Sequence, residues 1–148
     1  MTAATARPAA TAPPGTAEAE ARWIREVAQT PSGAILTGSS RIVPYFANLA
    51  ALGLVRDRGS LPAVRRWLEW YLAHVNREDI WDLGGTVYDY ELTPDGEERS
   101  RNDADSTDSY AATFLSVARA YAEAAGREGR AFLDLHRETL RAIGEILF

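Results

Sequence analysis

The sequence predicts a mainly α-helical protein, built of antiparallel helical hairpins with one inserted β-hairpin. Apolar residues recur at helical spacing in five separate stretches. Short Gly-, Pro- and Ser-bearing links join most of them, which makes consecutive helices antiparallel neighbours. A single stretch, Thr86 to Arg101, changes to a period of two, the signature of strands.

Residues 1–16 are almost wholly Ala, Thr and Pro. They offer nothing to bury, and a disordered tail is predicted. A short helix is expected from Ala17 to Gln29, with Trp23, Ile24, Val27 and Ala28 inward, ended by Thr30-Pro31-Ser32-Gly33. Ala34 to Ser40 reads as a loop. The second helix, Val43 to Leu54, has Pro44 in its first turn and small or apolar residues nearly all round, the pattern of a helix packed on several sides. Ser60 suits the cap of a third helix, with Pro62 just inside and a stripe of Leu61, Val64, Leu68, Tyr71, Leu72 and Val75. Gly84-Gly85 breaks the chain. Thr86, Tyr88, Tyr90 and Leu92 then alternate with Val87, Asp89 and Glu91, and Thr93-Pro94-Asp95-Gly96 is a turn. A fourth helix is expected from Asp105 or Ser106 to Ala125, striped by Tyr110, Phe114, Val117 and Tyr121. A last one, Arg130 to Leu147, buries Phe132, Leu135, Leu140, Ile143 and Leu147.

Composition excludes several chemistries. There is no Cys, so disulfides, zinc–thiolate sites and Cys nucleophiles are out. All 16 basic residues are Arg, which removes Schiff-base and Walker-type lysines. No apolar run approaches a membrane span, and the start lacks a signal-peptide layout, so a cytoplasmic protein is expected. The net charge of −5 disfavours nucleic acid. From Asp82 to Asp108 there are nine acids and two Arg; the remainder has twelve acids and fourteen Arg. That central segment carries more than the whole negative balance, so charge-based function is sought there.

The segment mixes carboxylates with aromatic rings: Trp81, Asp82, Tyr88, Asp89, Tyr90, Asp103, Asp105 and Asp108. Flat rings stack on sugars, and two carboxyls across a glycosidic bond hydrolyse it, one of them kept protonated by burial or a neighbouring charge. Each residue also has a plainer use. Asp105 suits a helix N-cap and Asp108 the first helical turn. Asp89 suits a solvated strand face, and the Tyr rings suit hairpin packing. The run from Asp103 departs from a calcium loop, with Asp108 where Gly is needed and Phe114 where Glu is needed. His74 and His136 have no triad or metal spacing, and no GxGxxG or P-loop exists, so no cofactor is expected.

Four stretches are similar to the N-terminal part of six-hairpin glycosidase-like proteins. They are Gly33-Ala34-Ile35-Leu36, Ile42 to Ala50, Gly85-Thr86-Val87-Tyr88-Asp89-Tyr90, and Asp105-Ser106-Thr107-Asp108-Ser109-Tyr110-Ala111-Ala112-Thr113-Phe114-Leu115. The resemblance runs from about Trp23 to the C-terminus. It implies a partial (α/α)6 toroid over 17–148 and a carbohydrate partner. It places Asp105 and Asp108 at a cleft, with Tyr88 and Asp89 beside them.

A closed ring of that kind needs roughly 300 residues. Five helices would leave an open apolar flank, for a second copy or another chain to cover. Independent hydrolysis is thereby put in question. Two functions follow: a carbohydrate-active piece with acids among Asp89, Asp105 and Asp108, substrate contacts from Tyr88, Tyr90, Asp103 and Trp81; or a non-catalytic helical interaction module. Convergence of the three acids in a hollow beside exposed rings would favour the first. Separate acids, or acids that only cap helices, would favour the second.

Overall fold

The computed structural model describes residues 15–148. Most of the predicted tail, residues 1–14, lies outside the described residues. Thr16 belongs to the fold: its Oγ1 accepts the Ala19 N–H at 3.2 Å and caps the first helix.

That helix, α1 (Ala17–Trp23), runs on into one wide π turn over Ile24–Ala28. Only one side meets the core, through Ala21, Ile24 and Ala28. Trp23 and Val27 sit a quarter-turn away and are 53% and 62% exposed, against the expectation that they face inward.

The loop that follows contains a short strand, β1 (Arg41–Ile42), where none was expected. Next come α2 (Pro44–Leu54), a 3₁₀ turn at Arg58–Ser60, and α3 (Leu61–Ala73). Ser60 occupies the α3 cap position without capping it. Its hydroxyl donates to Asp57 at 2.6 Å and accepts from Arg25 at 2.7 Å, so it ties the π turn after α1 to the link instead. The predicted hairpin is present but shorter, β2 (Tyr90–Leu92) and β3 (Glu98–Ser100), with Gly96 at positive φ in its turn. β1 adds to it, giving an antiparallel sheet of order β1-β2-β3. Thr86 to Asp89 form no strand; all four are buried, so the expected split into an aromatic and a solvated face fails there.

α4 (Thr107–Ala125) begins one residue later than Ser106, which takes the cap position expected for Asp105. The predicted last helix is two, α5 (Arg127–Leu135) and α6 (Arg137–Glu145), broken at His136. The break re-aims the stripe: Phe132 and Ile143 are buried, whereas Leu135 and Leu147 are exposed.

Among the described residues, then, the chain is mainly helical with six α-helices and one small sheet. Among the described residues no helix is long and apolar enough to cross a membrane. The long links, 29–43 and 74–106, meet at one end, where β1 pairs with β2. The short links, 55–60 and Gly126, lie at the other. We call these the loop end and the turn end.

The core lies between α2, α3 and α4. Trp67 and Tyr71 of α3 are fully buried, and the Tyr71 ring stacks on Phe114 of α4 at 3.8 Å. Ala47 and Ala51 let α2 approach α4 closely. The one amide in this interior, Asn48, joins all three helices. Its Nδ2 donates to the Tyr110 carbonyl at 3.2 Å and to Thr113 Oγ1 at 2.9 Å, and its Oδ1 accepts from Trp67 Nε1 at 3.0 Å.

α2 departs from its expected all-round packing. Phe46 is 57% exposed and Leu49 44%. Its eleven residues carry no charge at all.

Gly85 fixes how the loop end meets α6. Its φ is +88°, and a Cβ there would overlap the Ala142 carbonyl. Gly85→Ala is expected to cost about 1–3 kcal/mol from backbone strain alone. Gly38→Ala, with nothing within 4 Å, is expected to change stability by less than about 0.5 kcal/mol. Urea midpoints of the two variants check both values.

Candidate functional site

The loop end carries most of the residues singled out from the sequence. Asp89 is 2% exposed. Its Oδ1 accepts from the Tyr110 hydroxyl at 2.7 Å and its Oδ2 from Arg41 Nη2 at 3.2 Å. Backbone bonds clamp it further, since its N–H donates to the Asp103 carbonyl and its own carbonyl accepts from Arg101. Asp105 joins the cluster at the same phenol oxygen: its N–H donates to the Tyr110 hydroxyl oxygen at 3.3 Å, and Asp105 is exposed to solvent.

Burial pushes the Asp89 carboxyl above the usual carboxylate range. The nearby Asp105 charge adds to the rise, while Tyr110 and Arg41 pull against it. Burial and the bond to Asp89 raise the Tyr110 phenol as well. A carboxyl raised by burial and by a neighbouring acid is the electrostatic arrangement that general acids use. Here it is closed over by protein.

Asp108 stands apart. It accepts from the Ser106 hydroxyl at 2.6 Å and from the Ser109 N–H at 2.8 Å, bonds that hold its carboxyl below the ordinary value. Its place is the first turn of α4, where the helix dipole favours an anion. Asp103 contributes its carbonyl to Asp89, and its exposed carboxylate lies 3.9 Å from Arg101.

The aromatic residues diverge from the acids. Successive residues of an extended chain point to opposite sides. Tyr88 therefore turns away from the Asp89 cluster. It is buried, and its hydroxyl accepts the Ile80 N–H at 2.8 Å. Trp81 meets it edge-on at 6.5 Å and is 48% exposed. Tyr90 packs its ring against Trp70 and His74 at 5.3 and 4.9 Å. Of the three, Trp81 alone offers substantial ring surface to solvent.

Two further polar clusters were not singled out from the sequence. Asp79 organises the Trp81 loop. It is buried, which raises its pKa, but the Leu83 N–H, the Thr86 hydroxyl and the Trp81 N–H outweigh that and leave it lowered. An Asp shortly before a Gly-Gly pair was the available signal. Glu98 on β3 accepts from Trp70 Nε1 at 2.7 Å and from the Ser32 hydroxyl, with His74 Nε2 3.8 Å away. It locks the hairpin to α3 and to the loop after α1. Ser32 bonds the carboxylate and not the imidazole. No spacing in the sequence announces these contacts, nor the pairing of Arg41 with Asp89 across 48 residues. Among the described residues no three His, Asp or Glu side chains gather as metal ligands.

Compared with protein families, curated proteins and solved structures, the chain matches none.

The Asp89 cluster has a defined pH signature. A carboxyl whose pKa is raised by folding favours the folded state most when protonated, so its contribution falls as pH rises from the unfolded value through the folded one. Tyr110→Phe removes a lowering influence and leaves the carboxylate short of a donor. The variant is expected to lose about 1.5–3 kcal/mol near neutral pH and less as the pH falls and Asp89 takes up its proton. Urea unfolding of both proteins from about pH 4 to 8 checks the crossover.

Proposed function

We infer that the chain is a non-catalytic helical interaction module that docks a partner on α2. The observation that carries this is the outward face of α2: Phe46 and Leu49 are both exposed large apolar residues, on a helix with no charged side chain. Exposed apolar surface without charge marks a contact site, because water contact with it is unfavourable and nothing polar offsets that. Two of the acids, by contrast, are taken up within the fold. Asp89 is sealed by Tyr110 and Arg41, and Asp108 stabilises its own helix. A photoreactive amino acid at position 46 is expected to give one discrete cross-linked product in cells, identifiable by mass spectrometry and lost with Leu49→Arg. The same probe at Glu123, on the solvent side of α4, is expected to give none. Absence of a discrete product at 46 would remove this reading.

One observation favours a second reading. Asp89 and Asp105 approach a common phenol at the loop end, next to the half-exposed Arg41. With the resemblance to six-hairpin glycosidases, this supports saccharide recognition on the rim of a partial (α/α)6 toroid, Asp105 and Arg41 meeting sugar hydroxyls and Trp81 standing further round the rim. A glycan-array screen tests it. Binding is expected to survive Asp108→Ala and to fail in Asp105→Ala; no binding to any glycan would exclude it.

A further inference from the structure

We propose that the occupant of the α2 face is a second copy of this chain, packed with its α2 antiparallel to the first across a two-fold axis. The inference rests on the docking role of α2 and names the partner.

The face supplies both a projection and a recess. Phe46, Leu49 and Gly53 follow each other at i, i+3 and i+7, on one side of the helix. In an antiparallel pair centred between Leu49 and Ala50, Phe46 of each copy meets Gly53 of the other. Gly53 opens onto a groove of about 600 Å³ between α1 and the turn end, with Ala17 and Ala21 on its apolar wall and Glu18, Arg25, Arg56 and Asp57 around them. Nothing lies within 4 Å of where a Gly53 Cβ would stand. The isolated chain gains nothing from glycine here, since its φ is not in the left-handed region and alanine would favour the helix by about 1 kcal/mol. A ring entering from outside gives the missing side chain a use. Two identical insertions related by a two-fold make a closed, self-complementary contact.

Charge selects the antiparallel arrangement. Asn48 bonds the first turns of α4, so exposed Asp105 and Asp108 lie beside the N-terminal half of α2. Past the other end of α2 come Arg56 and Arg58, both exposed and without an ion-pair partner among the described residues. Antiparallel packing brings the cations of each copy toward the acids of the other. Parallel packing would set acids against acids in a chain already at −5. Eleven helical residues span about 16 Å, beyond the ~8 Å screening length in physiological salt, so the two acidic ends are held apart.

Sedimentation equilibrium on the whole chain, from about 1 to 100 µM, tests this. The wild-type protein is expected to be a dimer in the upper part of that range. Phe46→Ala, which removes an exposed ring and leaves the core intact, is expected to weaken it by about 100-fold or more. Gly53→Leu fills the recess and is expected to do the same, with an unchanged circular dichroism spectrum. The pair Arg56→Glu and Arg58→Glu is expected to weaken it about tenfold, an effect that shrinks as salt rises. A wild-type monomer throughout, or a dimer indifferent to both Phe46→Ala and Gly53→Leu, would overturn the proposal. A monomer that still cross-links from position 46 to a different protein would sink the second copy and leave the docking role standing.

Discussion

The buried amide of Asn48 is the constraint on which the arrangement of the helices depends. Buried polar atoms are costly unless bonded, so a side chain with both donor and acceptor in an apolar interior fixes whatever it touches. Asn48 touches Trp67 on α3 and both Tyr110 and Thr113 on α4. A slip of α2 by one turn would strand all three contacts. The rotation of α2 is thereby set, and with it the side that faces out. Apolar packing alone would not do this, because α2 is apolar on almost every side.

The same junction links interior to rim. Tyr110 gives its carbonyl to Asn48 and its hydroxyl to Asp89. One residue therefore spans from the helical core to the carboxylate at the loop end. Asp89 in turn holds Arg41, whose strand brings the loop after α1 onto the hairpin. Removing either member of a pair with one buried charge leaves that charge uncompensated, so Arg41 and Asp89 hold each other's elements in place. The acidic segment is in this sense an organiser of the loop end, with Asp79 and Glu98 doing for the Trp81 loop and the hairpin what Asp89 does for β1.

What the sequence made legible was local. The α3 stripe and the Thr93-Pro94-Asp95-Gly96 turn declare themselves within a few residues; the turn joins β2 to β3, and α3 carries the stripe from Leu61 to Leu72, with Val75 past its end at Ala73. β1 has only two residues, and its partner begins 48 positions later, so no window contains both. The break at His136 has no Gly or Pro to mark it. Trp23 and Val27 fit a helical stripe, but α1 offers its neighbours a different side. For the acids, alternation predicted a solvated Asp89; the residues that bury it, Arg41 and Tyr110, come from distant parts of the chain. Periodicity finds the faces of an element. Which face the rest of the molecule covers is decided elsewhere.

The separation between Asn48 and its partners also bears on the order of assembly. The Tyr110 contact closes a loop of 62 residues, whereas α4 meets α5 directly across Gly126. Closing long loops costs entropy before contacts repay it, so nearby pairings form early and remote ones late. A ribosome delivers α2 first and α4 only after the whole intervening segment. During synthesis, therefore, an uncharged eleven-residue helix waits for α4, the neighbour that completes the cover of its inner side, with apolar surface open in the meantime.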